Sequence, residues 1–164
     1  MADTPSPATR FAPHAASAPV VLGWRERLAL PALGIARIRA KLDTGARTSA
    51  LHVDAIETFA RDGETWLRFT VTTGTRVRKS WRCEARASDR RQVADSSGRR
   101  AERWFIRSEA ELAGQRFPLE LSLADRRGLR FPMLLGRAAL AGRFVVDPVR
   151  SYLVASPSRA MESA

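Results

Sequence analysis

The run Lys41-Leu42-Asp43-Thr44-Gly45-Ala46-Arg47 sets a carboxylate and a glycine at the end of an apolar stretch, where the chain has to turn sharply. Gly45 tolerates the backbone angles such a turn needs. The carboxylate has two uses there. It can bond the backbone of its own turn, the common fate of Asp beside Gly, or it can stand at the mouth of a site and take a proton from water. Three residues do not choose between these uses. Asp54 and Asp147 are the acids that would pair with Asp43 within one chain. Neither precedes a Thr-Gly turn, and a structural role is expected of both.

Other reactive side chains are few. His52 lies nine residues after Asp43 and is read as a hydrogen-bonded structural histidine. Cys83, the only cysteine, stands beside Trp81 in an alternating stretch and is expected to be buried and inert. One cysteine allows no intrachain disulfide and no Cys-pair metal site. With His14 and His52 the only histidines, a His-Glu-x-x-His zinc helix is ruled out. Nor does any Gly-rich loop end in Lys and Ser or Thr to cradle ATP phosphates. No metal and no cofactor is therefore expected.

The elements that would position Asp43 are short and β-like. Strand-type stretches recur at 36–42, 65–72, 76–85, 103–108, 116–123 and 144–147. Trp66–Val71 leads through Thr73-Gly74-Thr75 into Val77–Cys83, a hairpin. Arg90–Ala94 leads through Asp95-Ser96-Ser97-Gly98 into Arg99–Ile106, a second hairpin with a polar, protruding tip. Further turns are expected at 113–115 and 125–128. Phe131-Pro132-Met133-Leu134-Leu135-Gly136 is a bulky apolar run ending in glycine, and a short helix is predicted over 137–141. Many short strands with frequent turns predict a barrel or a sandwich.

At 164 residues the chain is sized for one well-cored domain. Residues 1–19 hold four prolines among Ala, Ser and Thr, and 155–164 is similar. Such segments bury too little apolar area to order themselves, so both are read as disordered tails around one domain over 20–154. No stretch approaches the roughly 18 apolar residues of a membrane span, and no apolar core of a secretion signal is seen. A soluble, cytoplasmic protein is expected. The net charge is +11, and only Lys41 and Lys79 among the 28 basic residues are lysines. Arginines in this number offer planar bidentate donors to carboxylate or phosphate. They can equally serve solubility alone.

Taken in order, the Asp43-Thr44-Gly45-Ala46 loop, the polar-tipped hairpin, and the Leu134-Leu135-Gly136 strand with its helix Arg137–Leu140 resemble the retropepsins, whose flap is such a hairpin. Nearly the whole span from Leu22 to Tyr152 is similar to the bacterial family named ATP-dependent zinc proteases, associated with ATP-grasp ligases that add glutamate to ribosomal protein tails. The likeness rests on Leu22-Gly23-Trp24-Arg25-Glu26, residues 40–52, Asp89-Arg90-Arg91, Ser96-Ser97-Gly98, residues 133–140, and 142–148 with Ser151-Tyr152. The zinc and ATP of that name find no matching residues.

The resemblance implies a mainly β fold: a closed or partly open β-barrel of the acid-protease type, with one short helix after the Leu-Leu-Gly strand. It further implies two copies of the chain, each giving one Asp43 to a shared water. Like charges so close cannot both ionise, so one carboxylate would act as base while its protonated partner polarises the scissile carbonyl. Thr44 would brace the loop across the dimer. A single Asp-Thr-Gly supplies only half of such a site, and two-fold dimers are the commonest oligomers. Catalytic roles then fall to Asp43, Thr44 and Gly45. Substrate contacts fall to Ala46, Arg47, Arg90, Arg91, Ser96, Ser97, Gly98, Arg99, Arg100, Leu134, Leu135, Gly136 and Arg137.

Three functional readings follow. The first is a homodimeric aspartic peptidase acting on acidic, glutamate-rich peptide, with the arginine-rich hairpin as lid. The second is a non-catalytic module that binds peptide or regulates an ATP-grasp glutamate ligase, since Arg47 beside the site could hold both carboxylates ionised. The third is nucleic-acid association through Trp24, Trp66, Trp81 and Trp104 among basic residues. The tryptophans are expected in the core instead, so nucleic acid is not the favoured partner, and no membrane partner is expected.

Overall fold

The computed structural model describes residues 18–95, 97–124 and 130–157. In chain order its strands are β1 (Val20–Gly23), β2 (Arg25–Leu30), β3 (Ile35–Asp43), β4 (Ser49–His52), β5 (Asp54–Arg61), β6 (Glu64–Thr73), β7 (Lys79–Ala94), β8 (Arg100–Leu112), β9 (Gln115–Ala124), β10 (Met133–Gly136) and β11 (Phe144–Asp147). A 3-10 turn, Pro31–Leu33, separates β2 from β3, and one helical turn, α1 (Arg137–Leu140), follows β10. The protein is thus mainly β with one short helix among the described residues.

Period-two patterning builds the sheet. In β3, Ile38, Ala40 and Leu42 turn inward while Arg37, Arg39 and Lys41 face out or lie half-exposed. Leu67, Phe69 and Val71 of β6 and Phe117, Leu119, Leu121 and Leu123 of β9 do the same. Nine strands pair in the order β2-β3-β10-β4-β9-β8-β7-β6-β5, and one bridge, Ala29↔Glu111, ties β2 back to β8. The sheet folds over its own core without spacing its strands evenly round an axis. Leu28, Ile38, Leu51, Phe69, Ile106, Leu121 and Leu135 lie in one buried cluster.

Two arrangements matter for the site. First, β10 threads between β3 and β4, parallel to one and antiparallel to the other, with Gly136 opposite Asp43. Second, the segment after β11 is strapped onto β1 and β2. The buried Glu26 carboxylate accepts the Gly23 and Leu153 N–H groups at 2.8 Å each, and Tyr152 N–H donates to the Arg25 carbonyl. Gly23 has to be glycine, because a Cβ there would lie 2.6 Å from the Arg150 carbonyl oxygen.

The structure departs from the sequence reading in several places. The two expected hairpins share one long strand: β7 pairs with β6 from Lys79 to Arg86, then with β8 from Ala87 to Ala94. A register shift between Ala87 and Asp89 makes the handover, and residues 76–78 belong to the turn rather than the strand. β5 was not expected because nearly all its side chains face out, which erases the alternation. β1, β2 and β4 are too short or too mixed in polarity to register as strands. No tryptophan is a fully buried core residue; all four are half-buried. The turn expected at 125–128, Ser96 and most of both tails lie outside the described residues.

Candidate functional site

Asp43 ends β3, and its loop closes on itself. Asp43 Oδ1 accepts the N–H groups of Gly45 at 3.0 Å and Ala46 at 3.1 Å. This is the local bonding expected of Asp in a tight turn. Here it leaves the second oxygen, Oδ2, without a partner among the described residues, on a half-exposed side chain at the surface. One oxygen therefore fixes the loop and the other is left without a bond there.

The loop is held from the far side by β10 and α1. Arg137 N–H donates to the Ala46 carbonyl at 2.7 Å and Ala138 N–H to the Arg47 carbonyl at 3.0 Å. The Arg137 guanidinium reaches back across the chain to the Thr44 carbonyl at 3.1 Å. Gly136 is packed so closely that a Cβ would lie 2.6 Å from the Thr48 carbonyl carbon. Its N–H donates to Ser49 Oγ at 3.0 Å, and Ser122 Oγ in turn donates to the Ser49 carbonyl. Ser49 was missed by sequence reasoning; the signal was a serine directly before the buried Ala50-Leu51 pair of β4. Leu135 and Gly136 are buried and Leu134 half-buried, so these residues act on the site by fixing Asp43. Thr44 is exposed, and its hydroxyl makes no hydrogen bond among the described residues.

Next to this loop lies a cavity of about 460 Å³ lined by Arg47, Thr48, Arg91, Arg107, Glu120 and Ala138, among others. Its walls come from the segment after Asp43, α1, the β7–β8 hairpin and β9, so the structure brings Arg47 and Arg91 together. At the hairpin tip Asp95 Oδ1 accepts Ser97 Oγ at 2.6 Å, Ser97 N–H at 2.9 Å and Arg99 N–H at 3.0 Å. The Ser97 hydroxyl bond, with the two backbone donors, holds the Asp95 carboxyl below its ordinary range. Gly98 sits in the left-handed region at φ +81°.

The arginines of the hairpin are not equivalent. Arg90 pairs with Glu102 at 2.9 Å, and Arg91 pairs with Asp89 at 2.9 Å and with Glu120. Arg91 also lies over the Phe105 ring. These guanidinium groups already have carboxylates. Arg47 and Arg107, which line the cavity, form no ion pair among the described residues, nor do Arg99 and Arg100 at the hairpin, where the Arg99 charge helps to hold the Asp95 carboxyl low.

The remaining candidates are placed elsewhere. Asp54 meets His52 at 3.3 Å and Thr72 Oγ1 at 3.4 Å. Asp147 is engaged by the Arg150 side chain and by the Val149 and Arg150 N–H groups, and the Arg150 bond leads in holding its carboxyl low. Neither acid meets Asp43 in any described contact. Cys83 is buried, its thiol directed to the Leu33 carbonyl, and burial pushes its pKa up to about 11. Among the described residues no three His, Cys, Asp or Glu side chains converge as metal ligands would. No helix among them is long and apolar enough to cross a membrane.

An Asp-Thr-Gly-Ala loop braced by a threaded apolar-Gly strand and a following helical turn defines the retropepsin-like class. A family model described as RimB-like, retropepsin-like aspartic endopeptidase, matches residues 21–157, and the chain belongs to that family. It is 39% identical over 133 residues to a protein of Shewanella pealeana named probable alpha-L-glutamate ligase, covering 80% of this chain and 29% of that protein. A similarly named protein of Desulfotalea psychrophila is 39% identical over 129 residues, covering 78% of this chain and 28% of that one. The chain thus spans less than a third of the length of these curated relatives. A crystal structure of a Legionella pneumophila protein of unknown function superposes with a TM-score of 0.70 at 26% identity, covering 82% of this chain and 97% of that one.

Proposed function

We propose that the protein is a homodimeric aspartic peptidase acting on acidic, glutamate-rich peptide. The observation that carries this reading is the division of labour within Asp43: one oxygen is pinned by the Gly45 and Ala46 N–H groups, and the other has no partner among the described residues on a half-exposed side chain. Two such carboxylates meeting on a two-fold axis share one proton. The ionised one takes a proton from water as the water oxygen attacks the carbonyl carbon, and its partner donates a proton to the carbonyl oxygen. Thr44, exposed with a free hydroxyl, would bond across the axis. In this reading the folded-over sheet is a partly open barrel, the β7–β8 tip is the flap, and the setting is cytoplasmic, where a free thiol such as Cys83 persists.

Substrate acidity is supported by the guanidinium groups of Arg47 and Arg107, which line the cavity beside the Asp43 loop and form no ion pair among the described residues. Turnover of a glutamate-rich peptide by the purified dimer tests the proposal. Asp43→Asn should abolish turnover while leaving the dimer mass unchanged; equal turnover by the variant would end the catalytic assignment.

One finding favours a second reading. The curated relatives carry a similar domain within proteins more than three times the aligned length and named as glutamate ligases. A non-catalytic partner of an ATP-grasp ligase would bind such an enzyme tightly, without turnover and without dependence on Asp43.

A further inference from the structure

We propose a second anion site, separate from the Asp43 loop, on the outer face of β2 and β3, built to hold the carboxylates of an acidic peptide segment. A cavity of about 580 Å³ lies there, closed by the β6–β7 turn and by Tyr152. Arg27, Arg37, Arg39 and Lys79 line it, and no Asp or Glu does.

The arrangement is costly unless an anion enters. Arg27 and Arg39 are direct cross-strand partners in the β2–β3 register. Like charges set opposite one another destabilise a sheet. Several arginines elsewhere on the molecule are taken up by carboxylates: Arg61 and Arg68 by Glu84, Arg86 by Glu64, Arg116 by Glu111, Arg150 by Asp147. Among the described residues Arg27, Arg37 and Arg39 make no ion pair. A bound carboxylate would turn the repulsion into shared attraction.

The donors are also preset. Arg27 Cζ lies 3.9 Å from the centroid of the Tyr152 ring and Arg39 Cζ 5.7 Å from that of Phe131. A cation held over an aromatic ring keeps its N–H groups available for bonding to a carboxylate. Tyr152 itself is fixed, because its N–H bonds the Arg25 carbonyl and Glu26 holds the next residue. Less freedom is then lost on binding.

The choice of ligand rests on the peptidase reading; the anion site itself does not. Arg39 and Arg37 precede Asp43 on β3 by four and six residues. At about 3.3 Å per residue they stand roughly 13 to 20 Å from the Asp43 end of the strand. One extended peptide therefore reaches both places, its acidic residues about four to six positions from the bond at Asp43.

The test is fluorescence anisotropy of a labelled oligoglutamate peptide with the full chain at low ionic strength, followed by cleavage kinetics on a peptide with an acidic extension. Arg37 is exposed and makes no described side-chain bond, so Arg37→Glu should fold normally. Its affinity for oligoglutamate should fall about tenfold or more, with the milder Arg37→Gln in between. Arg116→Gln, on a paired arginine of another face, should bind like the parent. In cleavage, Arg37→Glu should raise KM and leave kcat unchanged. Undiminished affinity in Arg37→Glu overturns the site. Tighter, Arg37-dependent binding of an RNA homopolymer overturns the peptide assignment in favour of phosphate. Asp43→Asn keeps oligoglutamate binding if the site is as proposed. Continued cleavage by that variant would remove the peptidase reading while leaving the anion site standing.

Discussion

Replacing Gly136 with alanine tests the threading of β10 against the Asp43 loop. The added Cβ would lie 2.6 Å from the Thr48 carbonyl carbon, 2.7 Å from its oxygen and 2.9 Å from the Arg47 oxygen. All three atoms are backbone and cannot rotate aside, so the loop must retreat by most of an ångström. That retreat pulls on the Arg137-to-Ala46 and Ala138-to-Arg47 hydrogen bonds. Overpacking costs about 1–3 kcal/mol and each of the two weakened bonds about 0.5–1.5 kcal/mol, about 2–6 kcal/mol together. For a chain of this size the melting temperature should fall by about 4–24 °C. Gly63→Ala is the comparison: φ there is +75°, with no atom within 4 Å of the new Cβ. Its cost is the left-handed backbone alone, about 1–2 kcal/mol. Thermal unfolding followed by circular dichroism measures both. Cleavage should drop about a hundredfold in Gly136→Ala, since Asp43 moves with its loop. The reasoning is refuted if Gly136→Ala melts no lower than Gly63→Ala.

Two further outcomes are expected. In an NMR titration the Ser97 and Arg99 amide signals should follow Asp95 with a midpoint below the ordinary aspartate value near 3.8, because the Ser97 hydroxyl bond lowers that carboxyl. A depressed folded pKa means the stabilisation of the tip is complete above the unfolded value and is lost as pH falls through the folded one; a midpoint at or above 3.8 contradicts the bonding described. Cys83, with its thiol pushed to about 11 by burial, should resist alkylation at neutral pH in the native protein and react once denatured, as mass spectrometry would show. Rapid native alkylation would mean the β7 core opens readily.

What could be read from the chain alone follows from locality. The Asp43 turn, the Leu134-Leu135-Gly136 strand and the helical turn after it are each written in a few consecutive residues, and the helix ends one residue before the expected Ala141. The polar tip at Asp95 was legible because Asp, Ser and Gly favour turns whatever surrounds them. What stayed hidden depends on partners far apart in sequence. Nothing local marks Arg137 as reaching the Thr44 carbonyl, or Glu26 as a buried anchor for Leu153. Nor does any pattern separate Arg90 and Arg91, already paired with Glu102 and Glu120, from Arg47 and Arg107, which are free. The single strand β7 was split in the reading because Asp89-Arg90-Arg91 interrupts its apolar alternation.

The joint action of two Asp43 carboxylates is tested most directly by mixing. Parent protein and Asp43→Asn, combined in equal amounts and allowed to exchange subunits, should retain about a quarter of the parent's specific turnover per total chain, because only dimers with two intact acids act. Retention of about half would show that each chain works alone and would contradict the shared site.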